Sequence, residues 1–456
     1  MHTFRYLSSF QKWNMNLFSR LFKSSSEISE IPKVKFGRFS DTYKSDEKYR
    51  AWDESILKFE EGLFDESFDL FFQYLSDESQ RNVKWSKEAD VIHFEILQGS
   101  KKITGSIDKE IIKAEAKIAT TDSLNIGFLR RMIELNYTLK YGRYALDSND
   151  SLTLVFDSYL LDGSPYKLYY ALKEIAVNAD KQDDLLVSEF DMLNPINTGH
   201  LGEIPVAEKA IKYQFLKKTI QLLFKTIDES KLSVDQYAGG IAYTMLNACY
   251  KLDYLLKPEG QTMEALERIH RTYFAQDRKS TVEKNVAIRK ELIKIQEKTE
   301  SEFHTELYQS SATFGITSPT NHNQFVSFVD GELPNMDWYA ENNHHEIARS
   351  IPEYIIGYCL FNYALPKPDK EMLHLYYQIT EPEYFSKLGF ESTFYDLEEK
   401  KFDRKAIKKA VERIQKVNRA KFPRFQPNIS TLDFSSVHQF AKTYLLMMRL
   451  LDLTKV

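Results

Sequence analysis

Five side chains able to ligate a metal crowd one stretch, Asp337, Glu341, His344, His345 and Glu346, and His374 follows downstream. Hydrolytic zinc chemistry needs two histidines one helical turn apart on one face, with a neighbouring glutamate as base. Adjacent histidines point in different directions, so the spacing is wrong and a surface loop or helix cap accounts for the group. His93 and His270 stand alone and read as surface or packing residues. Neither a Walker A nor a GxGxxG pattern occurs, so no loop is built to bring backbone N–H groups onto a phosphate. No GxSxG turn is present either. The acid pairs Asp183-Asp184 and Glu398-Glu399 sit in charged helical patterns and read as solvated faces. These absences imply no cofactor, no metal and no catalytic residue, and the expectation is a protein that is not an enzyme.

Charge is patterned more tellingly. Lys400 to Arg424 holds eleven Lys or Arg against Asp403 and Glu412, while Ile407, Val411, Ile414 and Val417 mark an apolar stripe. A helix of this kind rests on a core by its stripe and offers Lys405, Lys408, Lys409, Arg413 and Lys416 to phosphates, acidic protein or anionic lipid. A solvated face balanced by acids elsewhere is the alternative. Residues 1–26 carry Arg5, Lys12, Arg20 and Lys23 without an acid. At helical spacing Phe4, Leu7, Phe18, Leu21 and Phe22, with Met15, form a docking face suited to a membrane surface or a partner's groove, or to the chain's own domain or a second copy. The composition also fits an organelle transit peptide.

The elements that would position these residues follow from periodicity. Sixteen Gly and thirteen Pro in 456 residues are roughly half the usual share, and aromatic residues are plentiful, which excludes a disordered or collagenous chain. The formal net charge of −5 is too near balance to name a partner. Apolar residues recur at helical steps from Asp46 to about Ser76. Three strand patterns follow, in which Ile92, Phe94 and Ile96, then Ile103 and Ile107, then Ile112, Ala114, Ala116 and Ile118 alternate with polar residues. Period two with one polar face predicts an antiparallel sheet covered on one side. A helix started by Asp122 or Ser123 is expected to turn Ile126, Leu129, Met132, Ile133 and Leu139 toward the core. Two strands, at 141–146 and near 152–156, are joined by Asp147-Ser148-Asn149-Asp150, and Ser164-Pro165 opens a further helix.

The stretch Leu129-Arg130-Arg131-Met132-Ile133-Glu134-Leu135-Asn136, then Tyr141-Gly142-Arg143-Tyr144-Ala145-Leu146, Leu152-Thr153-Leu154 and Ala179 through Leu186 resembles the YbjN-like family over about residues 45–190. That family is similar to the type III secretion chaperones, the group of the Tir chaperone, in its order of elements. The resemblance implies binding of protein and no catalysis. Secretion chaperones typically dimerise and hold an extended stretch of an effector, and YbjN-like proteins are often called sensory transduction regulators.

Behind the module a stretch rich in Asn, Gly and Pro (194–205) reads as a linker, and nearly all the rest as helix. Helices are expected at about 206–228, 233–256, 261–276 and 281–310, the last with Ile288, Leu292, Ile295, Phe303 and Leu307 as a seam near heptad spacing. Ser350 with Glu353 predicts a capping box opening a helix there, and further helices fall near 369–378, 403–418 and 433–453. The predicted fold class is therefore an α+β module (helix, three strands, helix, two strands, helix; antiparallel sheet) followed by a mainly helical region. Its divisions are a basic segment and linker at 1–44, the module at 45–193, and helical regions at 206–313 and 320–456 that the sequence leaves either separate or continuous. Cys249 and Cys359 lie among apolar residues, too few for a disulfide framework, and read as reduced thiols. With no apolar run of about 18 residues and no exported-protein leader, the expectation is cytoplasmic.

The expected function is a non-enzymatic, chaperone-like adaptor that buries an apolar segment of a partner protein, with a homodimer and a peripheral membrane contact left open. The alternative is a membrane-surface or nucleic-acid factor working through 1–26 and 400–424, although no aromatic stacking set or helix-turn-helix supports nucleic acid. A second alternative is an enzyme whose site is assembled from distant residues.

Overall fold

The computed structural model describes residues 32–455 apart from 122, 124, 231 and 392. The predicted amphipathic face of Phe4, Leu7, Phe18, Leu21 and Phe22 lies outside the described residues.

The fold is an α+β module followed by a mainly helical region. The first helical pattern divides into α1 (Asp46–Glu60) and α2 (Phe64–Leu75), because Gly62 at φ +78° lets the chain turn where a side chain would be strained. Phe68, Phe71, Phe72 and Leu75 of α2 are buried against an antiparallel sheet. It contains β1 (Val83–Glu88), β2 (Val91–Gln98), β3 (Lys101–Ile107), β4 (Ile111–Thr121), β5 (Arg143–Leu146) and β6 (Ser151–Tyr159), in the order β1-β2-β3-β4-β6-β5. Its strand β1 precedes the three read from the sequence; only its Val83 and Trp85 are even half-buried, so its alternation carries little apolar signal. In β2, Ile92, Phe94 and Ile96 are buried, and Phe94 stands opposite Gly105 of β3. A Cβ at Gly105 would fall 2.1 Å from the Phe94 ring, so a side chain there would displace the core.

Helix α3 (Ile126–Thr138) lies between β4 and β5, and α4 (Pro165–Glu189) crosses the covered face. Ser164 caps α4, and Leu168, Leu172, Ile175, Ala179 and Leu186 enter the core. The expected linker is more ordered than its composition implies: β7 (Leu193–Pro195) pairs with the end of β4.

The helical region comprises α5 (Val206–Glu229), α6 (Ala238–Leu256), α7 (Gly260–Phe274), α8 (Thr281–Glu297), α9 (Glu300–Thr305), α10 (His322–Glu341), α11 (His345–Asn362), α12 (Lys367–Thr380), α13 (Pro382–Lys387), α14 (Arg404–Asn418) and α15 (Val437–Arg449). One continuous apolar core joins residues from Ile204 to Leu451. All five seam residues from Ile288 to Leu307 are buried, although the helix expected over 281–310 breaks between α8 and α9 and ends at Thr305. The capping box at Ser350 does not form. Helix α11 begins five residues earlier, at His345, with Pro352 inside it and Glu353 turned to another partner.

Two straps bind the halves together. Residues 32–45 carry Arg38, whose guanidinium meets Asp253 at 2.7 Å and Glu267 at 3.1 Å, and Asp41, which accepts from the Tyr169 hydroxyl at 2.7 Å. The chain at 309–314 returns to the sheet, where the N–H groups of Thr313 and Phe314 donate to Gln98 Oε1 at 3.1 and 3.0 Å. Between the straps, the acids of α4 face the α6–α7 junction. This overturns the reading of Asp183-Asp184 as a solvated pair. Asp183 is buried, bonded by Ser100 Oγ and paired with Lys101 at 2.9 Å. Burial, Asp183 and the more distant Glu306 and Glu259 push Asp184 up to about 7, against the pull of Lys101. A carboxyl raised in the folded state binds its proton more tightly there than in the unfolded chain. The stability this contributes at acid pH is lost as pH rises from about 4 through 7. Chemical denaturation at pH 5 and pH 8 should therefore show Asp184→Asn gaining roughly 1–3 kcal/mol on the native protein over that interval, a figure discounted for the partial exposure of the group. Parallel profiles for the two proteins would contradict it.

Candidate functional site

Helix α3 departs most from its sequence reading. Asn125 caps it by accepting from the Phe128 N–H at 2.8 Å. Phe128 and Met132, one turn apart, are the side chains it buries, and Phe128 meets the Phe190 ring edge-on at 5.5 Å. Ile126, Leu129 and Ile133, expected inside, face out: Ile126 is 85% exposed, Ile133 71% and Tyr137 93%. Those positions, with Leu129, share one helix face, so the exposure is a continuous stripe. Arg130 and Glu134 pair at 3.2 Å on the same helix.

The two outer edges of the sheet, β5 next to this helix and β1 at the opposite end, are closed to a further strand. At β5, the Asn136 side chain takes both backbone groups of Tyr144, accepting from its N–H at 2.6 Å and donating to its C=O at 3.2 Å. An added strand would have to displace it. At β1, Lys84, Ser86, Lys87 and Glu88 face solvent, Lys87 pairs with Asp65 at 2.7 Å, and Trp85 Nε1 donates to Asp69 at 2.7 Å. Charged edges of this kind resist pairing. Beside the β5 edge, the exposed apolar side chains that form a continuous stripe are those of helix α3.

The basic cluster lies on α14. Asp403 caps the helix by accepting from the Ala406 N–H at 2.9 Å, and Ile407, Ala410 and Val411 are buried. Val417, placed in the apolar stripe by spacing, is 59% exposed because it falls in the last turn, past the contact with the core. Lys405, Lys408, Lys409, Arg413 and Lys416 are all exposed. Lys408 approaches Glu412 at 3.8 Å, and the other four make no ion pair among the described residues. Arg413 lines a groove with α12 and the 32–45 strap; the other four cations do not.

Distant residues also converge, in a cleft of about 790 Å³ between α5, α6, α11 and the α12–α13 junction. Lys251 Nζ lies 2.6 Å from Glu353 and 2.6 Å from Glu381, and Asn247 Nδ2 donates to Glu353 at 2.9 Å. Burial opposes the charge on Lys251, but the two carboxylates outweigh it and raise that amine. Burial also works against Glu353, where Lys251 and the bonds from Lys251 and Asn247 prevail and hold the acid below its usual range. Glu381, with burial and the Glu353 charge against it, sits above its usual range. The two acids are thus shifted in opposite directions, Glu353 down and Glu381 up. Spacing could not assemble this group. Its trace in the sequence is Asn247, Lys251 and Asp253 within an otherwise apolar run from Met245 to Leu256.

The metal-type residues disperse. Asp337 pairs with Lys442 at 2.6 Å, His344 packs on the Tyr237 ring, and His374 shares a bond with the Tyr254 hydroxyl at 3.0 Å. Among the described residues no three His, Cys, Asp or Glu side chains converge to hold a metal ion, and no helix is long and apolar enough to cross a membrane. No protein-family model matches the chain, and no curated protein matches it.

Proposed function

We propose that the chain is a non-enzymatic protein-binding adaptor whose α+β module receives the apolar face of a partner helix on the outer side of α3. The observation that carries this reading is the exposed stripe of Ile126, Leu129, Ile133 and Tyr137 on a helix whose opposite face is already committed to the core. With Asn136 across the β5 edge and charges along β1, helix-on-helix contact is favoured over strand addition. Affinity would come from removal of apolar area, and register from rim charges such as Arg130 and Glu134. The resemblance to YbjN-like proteins and secretion chaperones supports the reading, since the order of elements is compatible with it. The buried, free Cys249 and Cys359, whose thiols burial pushes up, support a reducing compartment such as the cytoplasm.

The test is a photo-crosslinker at position 133 of the full chain, combined with Ile133→Glu/Tyr137→Glu. Crosslinks should map to an amphipathic helix of the partner, and the double variant should weaken the purified complex tenfold or more, about 2–3 kcal/mol from the lost apolar contact. Both side chains are exposed, so the melting temperature should hardly change. Unchanged affinity would refute the site, and a crosslink to position 133 of another copy would make the partner a second chain.

A second reading, an enzyme with a site assembled from distant residues, draws on the unequal carboxyls of Glu353 and Glu381 in their cleft. Turnover of any small molecule that is lost in Glu381→Gln would favour it over the adaptor.

A further inference from the structure

A groove of about 1000 Å³ runs between the 32–45 strap, α12 and α14. Its cations outnumber the acids free to answer them. Lys35 on the strap, Lys370 on α12 and Arg413 on α14 all line it, and none makes a side-chain hydrogen bond or ion pair among the described residues. Lys257 also lines it but is held by Glu259 at 3.0 Å. Of the acids, Glu371 accepts from Asn418 at 2.5 Å and lies 3.8 Å from Lys367, and Asp77 caps the turn at Ser79 and Gln80. Glu391 remains, exposed at the rim.

Lys370 is the informative member. It is partly buried in the wall, and burial alone pushes its ammonium below the usual lysine range. Burial, with Lys370 beside it, also depresses His374 to about 4, so that imidazole is neutral at physiological pH. Lys35 is lowered as well, by burial and by Lys257. A desolvated cation without a counter-ion is costly, and an anion entering the groove would relieve that cost. One side of the groove is apolar, where Phe36 packs on Phe385 and Phe390 at 5.4 and 6.1 Å with Leu375 and Ile414 also in the lining, while Thr42, Ser79, Gln80 and Gln378 make other parts polar.

We infer that this groove binds a soluble single-chain anionic amphiphile, its phosphate or carboxylate head set among Lys35, Lys370 and Arg413 and its apolar body laid against Phe36, Phe385 and Phe390. The volume suits a ligand of that size. The site is separate from the α3 face and stands whether or not that face binds protein.

Calorimetric titration of the full chain tests it, with decyl phosphate and decanoate below their micelle concentrations and with inorganic phosphate and decanol as probes of head and tail alone. One or both anions should bind at a single saturable site, at least tenfold more tightly than either control, and preference between them identifies the head group. Lys370→Met should weaken binding tenfold or more, Lys370→Arg should retain most of it, and Lys408→Met on the outer side of α14 should leave it unchanged. Lys35→Met, on the strap, should weaken binding as well and serves if the Lys370 variants fold poorly. Absence of saturable binding by both anions would overturn the inference. Binding as tight for decanol, or insensitive to both lysine substitutions, would do the same.

Discussion

Lys251→Met is expected to cost the folded protein about 3 kcal/mol at pH 8, and distinctly less at pH 5. Among the described residues Lys251 is the only cation bonded to Glu353 and Glu381 in their cleft, 2.6 Å from each. Removing it leaves two neighbouring carboxylates with no countercharge between them, and breaking a buried pair on one side typically costs about 3–5 kcal/mol. The low end applies because Lys251, Glu353 and Glu381 keep 11, 13 and 23% of their side-chain surface in water. The pH dependence follows from Glu381, which burial and Glu353 already raise with the lysine in place. Without Lys251 one of the two acids rises further. It then takes up a proton in the folded state at a pH where the unfolded chain does not, so the lost stability returns as pH falls. Urea denaturation at the two pH values would measure it. The companion Lys251→Met/Glu353→Gln/Glu381→Gln should recover most of the loss at pH 8, since neutral groups need no countercharge. An equal loss at both pH values would mean that charge is not the cause and that the lysine stem's packing is.

What the sequence made legible was local. The alternation at 92–96, 103–107 and 112–118 is a property of neighbouring residues, and those strands form as read. Ser164 before Pro165 begins α4 for the same reason, since a cap and a fixed φ act within one turn. Helix α3 was misread because it has two apolar stripes. Phe128 and Met132 make one and Ile126, Leu129, Ile133 and Tyr137 the other. Periodicity finds stripes, but only tertiary packing decides which is covered, so the candidate protein-binding face lay within the part assigned to the core. Asp183 and Asp184 failed differently. Asp184 comes against the helical half at Gly260, Asp183 is closed in by Ser100 and Lys101 of the β2–β3 hairpin, and no window along α4 contains either contact. The same holds for Lys251, whose partners lie 102 and 130 residues away. Arg413 was visible as charge, but Lys370, which gives its groove an unanswered cation, was hidden in an ordinary helix start.

Phe314→Ala is expected to destabilise the α+β half by about 3–5 kcal/mol, although Phe314 lies 119 residues beyond β7 in sequence. Its side chain is 1% exposed and belongs to the core built on the sheet, meeting the Tyr169 ring edge-on at 5.5 Å. The backbone around it completes the polar accounting of the same region. Asn82 Nδ2 donates to Thr313 Oγ1 at 3.0 Å, Gln98 Oε1 accepts from Thr313 and Phe314, and the Gly99 N–H donates to Ser311 C=O at 2.9 Å. A fragment ending near residue 200 would lose the aromatic plug and leave Asn82 and Gln98, both buried, short of partners. Each such orphaned group costs about 1–3 kcal/mol beyond the cavity left by the ring. Trp52 and Trp85 lie in this half, so tryptophan fluorescence in denaturant reports on it with Trp13→Phe/Trp338→Phe as background. Phe314→Leu should retain most of the stability and Phe314→Ala should not, while the fragment should unfold at lower denaturant than the same residues in the full chain. A fragment as stable as the intact protein would mean that the module closes its core unaided, and that the return of the chain at 309–314 only tethers the two halves.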